Sequence, residues 1–296
     1  MEALKKPLTY EEQVEYLQVH HGLVVRNKKE ATEILKQVNY YRLSAYGIGL
    51  KKKDDAEKYK DGVSLDSIFE LYTFDSALRN LLIHTIEQIE IQLRTQIAYY
   101  LAIRYGAECY IDVNNFVDKK NHDDESIHDN LIKNFKKECI RQSNSPFVRH
   151  HNKKYGGHFP IWVAIELFSF GNLSSLYSIM KPEDQKAIAS LYNTETQYLR
   201  SWLLALVEVR NICAHYGRLY NMPLKQSPHL YREYANYREK LNKLFPVIIV
   251  IKRMLLSDTR WNQLLQALIK LMTEHSDVVN LSFMGFPRDW ENVLKK

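Results

Sequence analysis

The sequence predicts an all-α protein, and three observations carry the prediction. Only 10 Gly and 8 Pro occur among 296 residues, which is few for a β-sandwich and suits long helices with short connections. Apolar residues recur at the i, i+3, i+4, i+7 spacing of a helix over long stretches. Helix-start signals stand where those stretches begin. At 45% hydrophobic residues the chain has material for one large or two modest helical domains.

The elements follow in order. Thr9 with Glu12 three residues on reads as a capping box, opening a helix that presents Val14, Leu17 and Gln18 and ends at His21-Gly22. A second helix from about Asn27 carries Ala31, Ile34, Leu35 and Val38, and runs into Asn39-Tyr40-Tyr41-Arg42-Leu43-Ser44-Ala45-Tyr46. Residues 51–63 are charged and read as a loop. From Ser64 to about Tyr105 a long helix is written by Ile68, Leu71, Tyr72, Leu78, Leu82, Ile86, Ile89 and Leu93, and Gly106 breaks it. A shorter helix is expected over 126–142. The polar, basic, Gly-containing segment 143–159 reads as an inserted loop. A helix restarts over 160–169 and is interrupted at Gly171. Another starts with Pro182 in its first turn. A helix over 198–219 is followed by a loop at 221–228 and two final helices, about 230–255 and 258–275. Residues 1–63 thus form an N-terminal helical region, and 64–296 a larger helical domain.

The net charge of +6 and pI near 8.9 permit an anionic partner without demanding one. Cys109, Cys139 and Cys213 are far apart, with no C-x-x-C pair, which argues against a zinc knuckle or redox motif and suits a reducing compartment. The N-terminus lacks the apolar core of a signal peptide, and no apolar run approaches the ~18 residues needed to span a bilayer. A cytoplasmic protein is expected.

The densest chemistry lies at Glu208-Val-Arg210-Asn211-Ile-Cys-Ala-His215-Tyr-Gly-Arg218. At about 100° per residue, Glu208, Asn211, His215 and Arg218 form one polar stripe, flanked by Arg210. Leu203, Leu206, Val209 and Cys213 lie on another side and suit the core. Such a stripe supports RNA cleavage by transesterification. The attacking group is the substrate's own 2′-hydroxyl, so the protein need only move protons and stabilise a phosphorane. Imidazole titrates near neutrality, so His215 can do the first. A guanidinium fork matches phosphate oxygens, so Arg210 can do the second, with Asn211 orienting either one. No metal or cofactor is required, and two copies of this sparse set across a homodimer would make a fuller one. Alternatively, His215 caps a helix C-terminus with Gly217 following, and Arg218 is a last-turn partner of the helix dipole.

At these residues the chain resembles a family. RNICAHYGRLYN resembles the R-N-x-C-A-H-x-x-R-L-x-N signature of the Abi-like (AbiD/AbiF) abortive-infection proteins of bacteria, within the larger group of HEPN-domain proteins. Four further blocks resemble that family in order: PLTYEEQVEYL, NYYRLSAY with Ala45 where Gly is usual, FDSALRNLLIHTIEQIEIQLRTQIAYYL, and FPIWVAIELFSFGNLSSLY. Tyr216 stands where a second His is usual. The resemblance implies an HEPN-like helical bundle with N- and C-terminal helical extensions. It implies a metal-independent endoribonuclease of a phage-defence or toxin–antitoxin system, bound to a small non-coding RNA. The rival is a catalytically inactive protein that holds a structured RNA.

Other residues join as candidates. Glu87, Glu90 and Arg94 share a helical face, which is either a salt-bridged surface or a set facing the 210–215 helix, with Arg79 as a further phosphate contact. Tyr40, Tyr41, Arg42 and Tyr46 combine aromatics with a cation, which either binds RNA or plugs a helix junction. Arg149, Lys153 and Lys154 could touch RNA from the 143–159 segment. The nearby His150, His151 and His158 fit a mobile loop better than a metal site.

Overall fold

The computed structural model describes residues 6–295, so the first five residues of the expected N-terminal region and Lys296 lie outside it. Among the described residues there are thirteen α-helices and no β-strand, only isolated bridges. They are α1 (Tyr10–Val19), α2 (Lys28–Gln37), α3 (Tyr40–Ser44), α4 (Leu65–Tyr105), α5 (Ile127–Arg141), α6 (Pro146–Tyr155), α7 (Ile161–Ala164), α8 (Phe170–Ile179), α9 (Pro182–Ser190), α10 (Thr196–Ala214), α11 (Leu244–Met254), α12 (Asp258–Glu274) and α13 (Trp290–Lys295). No helix among them is long and apolar enough to cross a membrane.

Helix α4 is the axis. Its 41 residues bury one row after another, from Leu65 and Ile68 to Ile97 and Leu101. At 1.5 Å per residue it runs about 60 Å. It packs against α2, α3, α7, α8, α9, α10, α11 and α12, so most of the core is assembled on it. The opening helix carries the expected capping box, with Thr9 and Glu12 bonded reciprocally. Ser64 caps α4 through a similar box with Ser67.

Several segments differ from the sequence expectation. Residues 143–159 are not a loop, because α6 occupies most of them. Pro146 opens it at a first-turn position, and Gly156 closes it with a left-handed φ of 62°. Its apolar face is narrow: Val148 alone is buried, and His151 stacks on Phe159 at 5.1 Å between ring centroids. Gly171 does not interrupt a helix but lies in the first turn of α8, capped by Ser169. The break falls upstream, after the 3-10 turn Ile165–Leu167. The expected helix at 230–255 splits into a 3-10 stretch, Arg232–Lys240, kinked at Tyr234, and α11. Residues 51–63 are a loop, as expected, with 51–60 folded into an ordered turn. Lys52 N–H donates to the Lys58 carbonyl at 2.9 Å, Lys60 N–H donates to the Leu50 carbonyl at 2.9 Å, and buried Tyr59 anchors the return.

One buried carboxylate ties three parts of the chain together. Asp75 of α4 is fully buried. It pairs with Arg79 at 2.5 Å and accepts from the Tyr46 hydroxyl at 2.8 Å. It also accepts from the backbone N–H groups of Leu219 (3.1 Å) and Tyr220 (2.7 Å), just beyond α10. Burial pushes its carboxyl above the ordinary carboxylate range, while Tyr46, Arg79 and the two N–H groups pull the other way. Tyr46 and Arg79 are therefore not RNA contacts. At 3% and 4% exposed they plug the junction between α3 and α4 and have no surface for a base or a phosphate. Substituting Asp75 by Asn leaves the buried Arg79 without its counter-charge. Breaking such a pair typically costs about 3–5 kcal/mol. Chemical denaturation of Asp75→Asn should show a loss of that size, and a loss below about 1 kcal/mol would show that the carboxylate is not a keystone.

Candidate functional site

The motif segment ends a helix rather than running along one. Helix α10 stops at Ala214, five residues short of the expected end, and His215 is its C-cap. Tyr216 then adopts a left-handed conformation at φ 56°, Tyr216 N–H donates to the Cys213 carbonyl at 3.2 Å, and Gly217 N–H donates to the Ile212 carbonyl at 2.7 Å. That is a Schellman closure with Tyr in the position glycine usually takes. A Cβ at Gly217 would lie 3.0 Å from the Ile212 side chain and 3.2 Å from its carbonyl, so a larger residue there would force Ile212 to shift by a few tenths of an ångström.

This geometry separates the expected stripe into two groups. Asn211 and His215 are exposed, one turn apart, at the end of α10. Arg218 is off the helix, and its Nη1 donates to the Ala45 carbonyl at 2.6 Å. Glu208 is turned to structure as well, accepting from the backbone N–H groups of Lys225 (2.8 Å) and Gln226 (2.6 Å) and so pinning the 221–228 loop. Neither Glu208 nor Arg218 therefore joins the exposed pair. On the opposite side Cys213 is buried, and burial pushes its thiol up to about 12, so it is no nucleophile.

Arg210 is held from below. Its Nε lies 3.5 Å from Glu90 Oε2, while Glu90 Oε1 accepts from Arg94 Nη2 at 2.5 Å. Arg94 is buried, and its Nη1 donates to the carbonyls of Ile165 and Phe168, the latter at 2.7 Å. Glu90 and Arg94 thus form the salt bridge their i, i+4 spacing offered, and it is Glu90, not Arg94, that reaches the 210–215 helix. Glu87 is exposed and stands apart from that pair. Among the described residues no side-chain hydrogen bond joins Arg210, Asn211 and His215 to one another, and Asn211 and His215 are exposed.

The Asn39–Tyr46 block reaches the same end of the molecule. Arg42 Nη1 donates to the Tyr216 carbonyl at 2.6 Å. Tyr41, at 86% exposed, faces solvent beside it, whereas Tyr40 is half-buried and stacks on His21. Arg149, Lys153 and Lys154 are exposed on α6, away from this cluster in sequence. Among the described residues no three His, Cys, Asp or Glu side chains converge to hold a metal ion, so His150, His151 and His158 do not form such a site.

Asp75 and Glu90 are the positioning residues that spacing alone did not single out for this site. Asp75 had a signal: it is an acid inside the apolar run Leu71, Phe74, Leu78, Leu82 of α4. Glu90 was visible as the partner of Arg94, but its hold on Arg210 spans two helices.

The family model described as Abi-like protein matches residues 33–221, well over half of the chain, and the chain belongs to that family. No curated protein and no solved structure matched.

Tyr216 carries a conformation that costs an L-residue roughly 1–2 kcal/mol, and its side chain is 70% exposed, so little packing offsets it. Tyr216→Gly should stabilise the protein by about 0.5–1 kcal/mol after the added chain entropy of glycine is subtracted. A lowered denaturation midpoint would contradict this account of the helix end.

Proposed function

We propose that the protein is a metal-independent endoribonuclease of a bacterial abortive-infection or toxin–antitoxin system, with residues 64–296 forming an HEPN-like domain. The observation that carries the reading is that Arg210 and His215 stand together at the C-terminal end of α10. One is a cation held by an acid that has a second partner; the other is an exposed imidazole at a rigid helix end. Membership of the Abi-like family supports the same reading.

The chemistry is proton transfer and charge stabilisation. The 2′-oxygen of the substrate bonds to the adjacent phosphorus, and the bond from phosphorus to the 5′-oxygen breaks. His215 accepts the proton of the 2′-hydroxyl, and the departing 5′-oxygen takes a proton from the His215 of a second copy or from water. Arg210 binds the equatorial phosphate oxygens, where negative charge grows. Asn211, one turn before His215, holds the ribose or phosphate by hydrogen bonds. Products carry a 2′,3′-cyclic phosphate and a 5′-hydroxyl. Tyr41, Arg42, Lys153, Lys154 and Arg149 are the exposed groups proposed to bind RNA. A catalytically idle protein that holds a structured RNA would use the same surfaces.

A single motif histidine, His215, in each chain favours a second copy. Helix α4 exposes Ile91, Tyr99 and Ile103 at i, i+8 and i+12, the last two 71% and 75% exposed. Trp162 of α7 is also exposed. These exposed apolar side chains along one side of α4 are the surface proposed for docking a second copy.

Two measurements test these statements. His215→Ala should lower RNA cleavage about 10²–10⁴-fold, and Arg210→Ala about 10²–10³-fold. Stability should change little, because His215 is exposed and Glu90 keeps Arg94 when Arg210 is gone. EDTA should not inhibit. A folded His215→Ala protein that cuts at the wild-type rate would remove the ribonuclease assignment, and a wild type that cuts nothing once freed of bound RNA would leave the RNA-holding reading. In light scattering the protein should be a dimer, and Tyr99→Glu with Ile103→Glu should make it a monomer. A wild-type monomer, with and without RNA, would sink the dimer.

A further inference from the structure

Beside the end of α10 lies a groove that the motif does not include. It has a volume of about 680 Å³, and Tyr41, Ala45, Lys51, Lys52, Lys53 and Lys60 are among its walls. It is joined to the His215 turn from two sides. Arg218, three residues after His215, donates to the carbonyl of Ala45 in the groove wall. Arg42, next to Tyr41, donates to the carbonyl of Tyr216. The groove and the helix end are thus parts of one fixed surface.

Its lysines are held in place. The 51–60 turn is closed by backbone bonds at 2.9 Å, the Lys51 ammonium lies 5.7 Å from the Tyr59 ring centroid, and Lys60 Nζ donates to the Gly49 carbonyl at 3.1 Å. Acidic groups are also present. Asp61 pairs with Lys52 at 2.8 Å, and Asp54 and Asp55 lie in the same turn. Asp61 is almost fully exposed, and an exposed pair of this kind contributes little, so a phosphate can replace it. Lys53 is exposed and, among the described residues, forms no ion pair. Tyr41 presents an exposed ring in the same groove wall, next in sequence to the Arg42 that bonds the His215 turn.

We propose that this groove binds single-stranded RNA next to the reacting phosphodiester, with the lysines on phosphates and Tyr41 stacked on a base. The proposal rests on the ribonucleic-acid reading of the His215 site. The combination favours a single strand because stacking on an aromatic face requires an unpaired base, while cations tracking the backbone need no particular sequence. A duplex offers no free base face to Tyr41.

The test uses the full chain carrying His215→Ala, stripped of copurified nucleic acid, with a fluorescein-labelled twelve-nucleotide oligoribonucleotide as probe. Anisotropy gives Kd across a salt series. Lys51→Gln with Lys53→Gln should flatten the dependence of log Kd on log salt by about 0.7 per lysine. Tyr41→Ala should weaken binding at least roughly five-fold at one salt concentration with the salt slope unchanged. The charge-matched control Lys136→Gln with Lys137→Gln on α5 should do neither, and circular dichroism should show every variant helical. RNA binding that survives the groove substitutions unaltered would overturn the groove while leaving the site reading intact. Equal loss in the α5 control would reduce it to a net-charge effect and overturn it too. No binding of any RNA by the parent protein would overturn both.

Discussion

The structure depends on one buried carboxylate. Asp75 sits on the central helix and gathers a guanidinium, a phenol and two backbone N–H groups from segments far apart in sequence. A buried charge is tolerable only when it is paired and its remaining lone pairs are occupied. That requirement works in reverse as a constraint on the chain. Tyr46 must return to α4, and Leu219-Tyr220 must turn inward directly after α10. The exposed end of α10 is therefore defined by what lies beneath it. Asn211 and His215 reach solvent because the residues after them are drawn into the core, where Tyr220 also accepts from the Asn280 N–H at 3.1 Å.

A second chain of contacts serves Arg210. The carbonyls of Ile165 and Phe168 hold Arg94, Arg94 holds Glu90, and Glu90 steers Arg210. These groups come from three separated blocks of the sequence, in and around α4, α7 and α10. The resemblance between this chain and its family falls in those same blocks, and the structure supplies a physical reason for their joint presence. A block that only filled the core could be exchanged for another of equal volume. A relay of charge-assisted hydrogen bonds ending in an ion pair cannot be.

What could be read from the sequence follows from the range of the forces involved. Helix α4 was legible from end to end because its apolar rows repeat at helical spacing and Ser64 and Gly106 mark its limits. The capping box of Thr9 and Glu12 was legible because both partners lie within one turn. Helix α6 was hidden because only Val148 faces the core and the rest is basic and aromatic. The end of α10 was misplaced because Tyr, not Gly, takes the left-handed position. At the site, spacing marked Arg210, Asn211 and His215, yet it could not separate them from Glu208 and Arg218. Those two are distinguished only by partners 17 and 173 residues away, the Lys225 amide and the Ala45 carbonyl. Tyr40 to Tyr46 divided for the same reason: the backbone turn of α3 sends Tyr41 outward and Tyr46 to Asp75.

That His215 closes a helix has a consequence for how its place is specified. A side chain in a core is located by its neighbours, and small errors are absorbed by repacking. One at the last turn of a rod is located by phase. Each residue within α10 advances the terminus by about 1.5 Å and rotates it by about 100°. The imidazole is thus positioned by counting residues from the buried rows of Leu203, Leu206 and Val209, and a single insertion between Val209 and His215 would swing it to another side of the helix.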